Sequence, residues 1–484
     1  MSFDFDQRRT WLVLFAAYFA VTGLMRLWSG HALEIDQAEM LRYAQALQWG
    51  YGPQPPLYAW MQWGVFQIVG PGVPGLFLLK QFLLWLTPVL MLVLLSRAFP
   101  VREAGIAALS LVLLVSISFD SQRTLTHAVL VLDVTLAFAL VAWLVLREDE
   151  AHPSDWLGLG VLMGFGFLSK PSFALVPVAM LAAIVTLPAL RKGFKPQGMV
   201  LALGVAVLIC LGPAIWMLIN LHITLDSVRK FDIVAQAGFA ETLPVSLREY
   251  LWSTVLFVGP ALIVVGIAAA LGRLRGPAPE IARTGPEELM SKWLWRFTLI
   301  AWGLFLLFTL AGQVTHFKER WLQTTLVFSA PLLTLWLLPR LTPFGQRVYV
   351  ITLLVCVGLV GSVLSVQDAL RGSRRAASFD VLAPQVRAVL EEGDILLGEN
   401  WIAGNLLKVM PDVPVHPEYA PLDPERGYIF VWNNTLEQGD GAAQLVRQAG
   451  PGWVLEPLGR IEAPYHVDPD RVLVLNLARV RPGG

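Results

Sequence analysis

Ionisable side chains are scarce in this chain, so the places where they gather are informative. The most unusual group lies at residues 31–39, with His31, Glu34, Asp36 and Glu39, and it is followed by Tyr51-Gly52-Pro53-Gln54-Pro55-Pro56-Leu57-Tyr58. In a helix Asp36 and Glu39, three residues apart, share a face. A carboxylate so placed suits a general base that takes a proton from an attacking hydroxyl; the plainer use of Asp36 is as a helix cap. A second set is cationic: Arg123, Lys170 in Ser169-Lys170-Pro171-Ser172, and Lys318 with Arg320, each just ahead of a long apolar run. A helix start already carries partial positive charge, so a cation added there is unfavourable unless an anion binds, phosphate being the usual one. Pro171 fixes such a start, because a first helical turn needs no N–H. The plainer reading is snorkelling of long side chains towards a polar surface. Asp133 lies inside an apolar run, with Thr126 and His127 above it and Asp120 before it. A buried acid needs a partner, and Arg123, His127 or a cavity shared with Asp36 are the candidates, pairing within the cavity being expected. His316 stands beside Lys318, Glu319 and Arg320 with no second histidine at ligand spacing, so a hydrogen-bonding role is expected and no metal site. Cys210 and Cys356 sit in apolar runs and read as small core residues, with neither a disulfide framework nor a CxxC pair.

The elements that position these groups follow from composition. Of the 484 residues 15% are charged and 56% hydrophobic, with 18 Trp and 25 Phe, against roughly 25% charged in soluble domains. Such a chain needs a bilayer to cover it. Equal numbers of basic and acidic residues, 36 each, give no basic stripe and exclude nucleic acid as a partner. About eleven spans (range roughly 10 to 13) are expected, centred in runs 11–28, 76–95, 105–118, 125–146, 156–168, 172–190, 199–220, 250–271, 293–310, 321–338 and 348–366. The third and fifth are short. The first is read as a span and not a cleaved leader, since Arg26 and Trp28 close it without a small-residue cleavage site. Arg8 and Arg9, Arg97 and Arg102, Arg147, Arg191 with Lys192 and Lys195, the loop 273–296, and Arg340 with Arg347 fall in alternate connections. Positive loops stay inside, which places the N-terminus in the cytoplasm of a multi-pass inner-membrane protein and the tail outside, in the periplasm of a Gram-negative cell. Nearly all the chemistry-bearing residues then face outward. Residues 40–49 read as an interfacial helix with Leu41, Ala44 and Leu47 on its apolar side and Trp49, Tyr51 and Tyr58 at headgroup level. On this placement the anion is a lipid phosphate. The division is into a membrane catalytic domain, 1–370, and a small extracytoplasmic α/β domain, 375–484. The tail shows strand patterns at 394–397, 428–432, 453–457 and 471–475 and a helix at 441–448. Glu399-Asn400-Trp401 and His416-Pro417-Glu418-Tyr419 are polar enough to touch a ligand but match no catalytic motif, so the tail reads as a lid or acceptor-docking module. The mixed charges of 221–249 read as a solvated face, and the Pro- and Gly-rich 276–288 as a flexible connection.

The ordered set Ile-Asp-Gln-Ala-Glu, Gly-Pro-Gln-Pro-Pro-Leu-Tyr, the buried Asp133, Leu-Ser-Lys-Pro and His-Phe-Lys-Glu-Arg-Trp resembles the bacterial branch of the protein O-mannosyltransferase superfamily, which includes lipid A aminoarabinose transferases. The resemblance covers the membrane region and, more loosely, the tail. It implies a GT-C fold and sugar transfer from a polyprenyl phosphate donor to a lipid or glycan acceptor of the envelope. It makes Asp36 the catalytic carboxylate, Glu39 and Asp133 further acidic members, and Lys170 a donor-phosphate ligand, which Arg123, Lys318 and Arg320 join by their position. Tyr51, Gln54, Tyr58, His127 and His316 are expected to line the substrate cavity. Lipid A transferases of the family carry a Lys before the double proline where this chain has Gln54, which implies a differently built phosphate site. No cofactor is implied, a divalent cation stays open, and the chain is expected to work as a monomer. The competing class is a transporter or flippase for a lipid-linked or anionic solute. It fits less well, because the charges lie near one face and no inverted repeat of broken spans is seen.

Overall fold

A computed structural model describes residues 4–28, 30–147, 152–224, 239–274, 283–367, 370, 372–417, 420–433 and 452–483. The chain forms two compact units, one of Met1–Ala20, Pro53–Leu57 and Phe82–Gly361, the other of Val21–Gly52, Tyr58–Gln81 and Ser362–Gly484. Among the described residues seven helices are long and apolar enough to cross a membrane, and nine if two bent pairs each count as one span. The run at 172–190 folds as the shorter stretch Pro171–Val185, and that at 156–168 as the 17-residue helix Pro153–Ser169.

In the first unit the helix His127–Arg147 is central, with 78% of its apolar window buried. Only 17% of the windows in Phe239–Gly272 and in Pro343–Val366 is buried. Their Leu, Ile and Val side chains therefore face outward over whole spans, which water does not tolerate and hydrocarbon does. Glycines let helices approach closely where this unit is tightest. A Cβ on Gly160 would stand 2.5 Å from the Ala202 carbonyl oxygen, and one on Gly198 2.2 Å from the Trp156 ring, the small-residue packing that replaces hydrophobic drive inside a membrane. The third apolar run is short because it is broken: Val101–Leu113 and Ser116–Arg123 meet at 83°. The Gln323 amide holds the break, donating to the Ser116 carbonyl at 2.7 Å and to the Ser116 and Ser121 hydroxyls at 3.2 Å. The other bent pair, Glu319–Leu326 and Ser329–Arg340, turns by 55°. Part of the connection at 276–288 lies outside the described residues. Arg283 does not: it pairs with Glu103 at 2.5 Å and Glu287 at 2.8 Å, so this end of the loop is tied down.

The second unit carries a four-stranded sheet, β1 (Ile395–Gly398), β2 (Tyr428–Trp432), β3 (Trp453–Pro464) and β4 (Val472–Pro482), in the order β1-β2-β4-β3. β1 runs parallel to β2 and the other pairs are antiparallel. All four strand patterns read from the sequence are strands here, β3 and β4 extending further than expected. A bulge at Pro457/Gly459 relieves the long β3–β4 ladder, with Gly459 at φ +133°. Ile395, Leu397, Leu422, Tyr428, Phe430 and Val480 form its core. Two helices the sequence pattern hid, Phe379–Arg387 and Asn400–Val409, flank the sheet; the helix expected at 441–448 lies outside the described residues. The same unit holds the end of α1 (Arg8–Trp28), all of α2 (Ile35–Tyr43), most of α3 (Leu57–Val69) and the start of α4 (Val73–Leu95).

Candidate functional site

Asp36 sits in the first turn of α2, half-buried, with Glu39 on the same face. The cap is Glu34, whose N–H donates to the Gln37 side chain at 3.3 Å, so capping is not what Asp36 is for. The expected interfacial helix is present but differs in kind. It starts earlier, ends at Tyr43 and packs inward: Leu41 and Ala44 are buried as expected, whereas Leu47 and Trp49 are exposed and outside the helix. The reason is the helix Asn400–Val409, which lies so close to α2 that a Cβ on Gly404 would be 2.2 Å from the Ala38 carbonyl oxygen. Arg42, buried, closes the arrangement, donating to the His416 carbonyl at 3.0 and 2.8 Å, to the Gly398 carbonyl at 3.0 Å and to the Asn400 side chain at 2.8 Å. Asn405 and Trp401 clasp the backbone of Leu33. Thus Asn400, Trp401 and His416, which looked like ligand-facing residues, brace the segment that carries Asp36. His416 is held below the ordinary histidine range by burial first and by the Arg42 charge second.

Around Asp36 the structure gathers cations that a survey of run ends misses. Lys80 of α4 is 2% exposed and lies within electrostatic reach of Asp36, Glu34, Arg26 and Arg375. Arg26 and Arg375 are 1% and 2% exposed, and the Arg375 guanidinium donates to the Arg26 carbonyl at 3.2 Å. Tyr58 is buried and also feels the Asp36 charge. The signal for Lys80 was in the sequence, a lysine in the middle of an apolar run, where ionisable groups are functional by default.

The first unit holds the other candidates. Arg123 and Arg320 both act on Asp120, as does Glu319, so two of the four predicted phosphate ligands share one charged neighbourhood at the ends of the two bent helix pairs. Lys170 caps the 3-10 turn Pro171–Ala174 in extended conformation, and Lys318 caps the turn Glu319–Leu322. Both cations therefore stand at helical starts, as the sequence placed them. An aromatic cluster of Tyr250, Phe305, Phe317 and Trp321 fixes the segment before the latter turn. Asp133 is 3% exposed and accepts from Thr87 at 2.6 Å; its partner is that threonine, neither Arg123 nor His127. The sequence pointed to charged partners, but the bond shown comes from a hydroxyl of α4 and meets one carboxylate oxygen, Oδ1. His127 is buried and His316 exposed. Gln54 is half-buried. Tyr51, expected at a headgroup or cavity surface, is buried, and its hydroxyl donates to the Ala46 carbonyl at 2.7 Å and accepts from the Gln48 N–H at 3.0 Å. It shapes the loop.

Among the described residues one set of side chains in the second unit has metal-ligating chemistry. His31, Asp380 and His466 offer ligand atoms within 4.8 Å of one another. His466 Nε2 bonds the Asp380 carboxylate at 2.8 Å and the two imidazoles stack at 3.8 Å. The set is exposed, and the Lys408 ammonium donates to the His31 carbonyl beside it. Burial and the neighbouring His466 hold His31 below the usual histidine range.

Residues 53–216 match the dolichyl-phosphate-mannose-protein mannosyltransferase family. The chain is 29% identical over 443 residues to the lipopolysaccharide core galacturonosyltransferase RgtB of Rhizobium johnstonii, with 87% of each chain covered. It is 28% identical over 484 residues to RgtA of the same organism, a lipopolysaccharide core galacturonosyltransferase, covering 94% of this chain and 93% of that one. The crystal structure of ArnT from Cupriavidus metallidurans bound to undecaprenyl phosphate has the same fold, with a TM-score of 0.58, 13% identity and coverage of 96% of this chain and 98% of that one. Fold and relatives together define a multi-pass membrane enzyme, a glycosyltransferase of the GT-C class. Within that class the chain is similar to the protein O-mannosyltransferase superfamily.

Proposed function

We propose that this enzyme transfers a uronic acid from a polyprenyl phosphate donor to a hydroxyl of an envelope lipid or glycan, on the outer face of the inner membrane, with inversion at the anomeric carbon. Asp36 takes the proton as the acceptor oxygen forms its bond to that carbon. The bond from the carbon to the phosphate oxygen breaks, and the phosphate leaves with the electron pair. Lys170, Arg123, Lys318 and Arg320 neutralise it. The donor is already activated by its phosphate, so positioning, a base and charge stabilisation suffice. Glu39 and Asp133 are further acidic members, the second buried under Thr87. In this reading residues 1–370 are the catalytic membrane part and 375–484 the outer part.

The observation that carries the reading is Asp36, an acid in the first turn of a braced helix, freed from capping by Glu34 and set among buried cations. The sugar follows from the relatives, named galacturonosyltransferases. Mass spectrometry of envelope lipids and glycans from cells with and without the gene tests it: a species heavier by one uronic acid residue disappears with the gene. Identical glycolipid profiles in both strains overturn it.

A further inference from the structure

Among the described residues one cluster of metal-ligating side chains stands outside the proposed reaction. His31, Asp380 and His466 all belong to the second unit, and their ligand atoms lie within 4.8 Å of one another. They come from three stretches far apart in sequence: the entry to α2, the first turn of the helix Phe379–Arg387 and the turn after β3. Main-chain bonds tie these stretches to one another. The His31 and Ala32 N–H groups donate to the Arg375 carbonyl at 2.7 and 2.8 Å, and the His466 N–H donates to the Ala376 carbonyl at 2.9 Å. Ser378, just ahead of the helix that carries Asp380, donates from its hydroxyl to the Pro464 carbonyl. The backbone thus holds the three side chains together in advance, and a site organised beforehand loses little in taking up an ion.

The donors decide the ion. Two imidazole nitrogens with one carboxylate oxygen suit zinc and its first-row neighbours, whereas calcium and magnesium call for oxygen ligands. We infer that His31, Asp380 and His466 bind one zinc-class divalent ion, water completing its shell, and that the ion staples the entry of α2 to the helix Phe379–Arg387 and the turn after β3. Zinc–ligand bonds of about 2.0–2.2 Å set neighbouring ligand atoms roughly 3.3 Å apart. His466 Nε2 and the Asp380 carboxylate now share a hydrogen bond at 2.8 Å, so they open by about 0.5 Å. The imidazole proton on that bond moves to the far ring nitrogen, since a ligating nitrogen carries none. The other separations, at most 4.8 Å, close by at most about 1.5 Å. All three side chains are exposed and have room to turn. Lys408, whose ammonium donates to the His31 carbonyl, adds a positive charge that weakens the hold on a dication, so micromolar binding is expected.

The test uses the full chain in lipid nanodiscs, purified through a tag without histidine, stripped with a chelator and titrated with zinc chloride at neutral pH. The wild type is expected to take up one zinc ion per chain at micromolar concentration, and its melting midpoint to rise by about 2–4 °C. His466→Gln and Asp380→Ala each weaken binding by at least about 10-fold and lose the rise. A wild-type protein that binds zinc only at millimolar concentration overturns the inference and needs no variant to fold. Zinc held as tightly by both variants as by the wild type places the ion elsewhere and overturns it too. Either result leaves the transferase reading in place, because bound metal and not glycolipid product is measured.

Discussion

Single residues carry the chemistry, and those that stood alone in the sequence were the readable ones. Asp36 and Glu39 stood out because a loop in an apolar chain holds few acids, and Glu34 turns out to do the capping that was the rival use of Asp36. Asp133 was readable as a costly buried acid, but not its partner Thr87, because a threonine 46 positions away carries no sequence signal. Arg42 was invisible for the same reason: its acceptors are a side chain and main-chain carbonyls 356 to 374 residues away. Replacing Arg42 by Ala leaves those buried acceptors unmet, a loss of at least about 2 kcal/mol, and a chemical melt of the purified protein should show it; Lys at this position does not restore it, since one ammonium lacks the fork. His416 makes the same clasp sensitive to acid. Its folded value is lowered, so its neutral form is the one the fold favours. Stability is full above the ordinary histidine value of about 6.5 and is lost as pH falls from there through the lowered one. Melts at pH 7.5 and 5.5 should differ less in His416→Gln than in the wild type, with His31, shifted the same way, contributing to what is left. An unchanged pH dependence in that variant contradicts this.

Elements were legible where one periodicity governs them. The four strands of the tail were found, β4 by alternation and β1 and β2 as short continuous apolar runs; the helix Asn400–Val409 was not, because its buried residues Trp401, Ile402, Ala403 and Leu406 answer to α2 and to the sheet, and the polar Glu399 and Asn400 at its start suggested a loop. The broken helix at 101–123 was seen only as a run too short to span; the tie by Gln323 comes from 202 to 207 positions further on. The contact of Gly404 with Ala38 gives a sharp prediction for the element pair. Gly404→Ala inserts a Cβ 2.2 Å from backbone oxygen, so the two helices must separate, at about 1–3 kcal/mol. Because α2 carries Asp36, turnover should fall more than donor binding does. A fully active Gly404→Ala protein means that the close approach has no part in placing the base.

At the scale of the molecule, composition alone required a bilayer, and the outward apolar faces of Phe239–Gly272 and Pro343–Val366 agree. From the lysine and arginine pattern we propose that the tail lies outside. A cysteine in place of the exposed Asp470 should react with a membrane-impermeant maleimide in spheroplasts; labelling only after lysis reverses the orientation. In the mechanism we propose, transfer itself is decided by Asp36. Purified protein in nanodiscs, given undecaprenyl phosphate galacturonate and envelope acceptor, is assayed for glycolipid product beside Asp36→Asn, with undecaprenyl phosphate binding measured on both. The account predicts a loss of about 10²- to 10⁴-fold in turnover with binding of the lipid phosphate retained. An Asp36→Asn enzyme that turns over at the wild-type rate contradicts it.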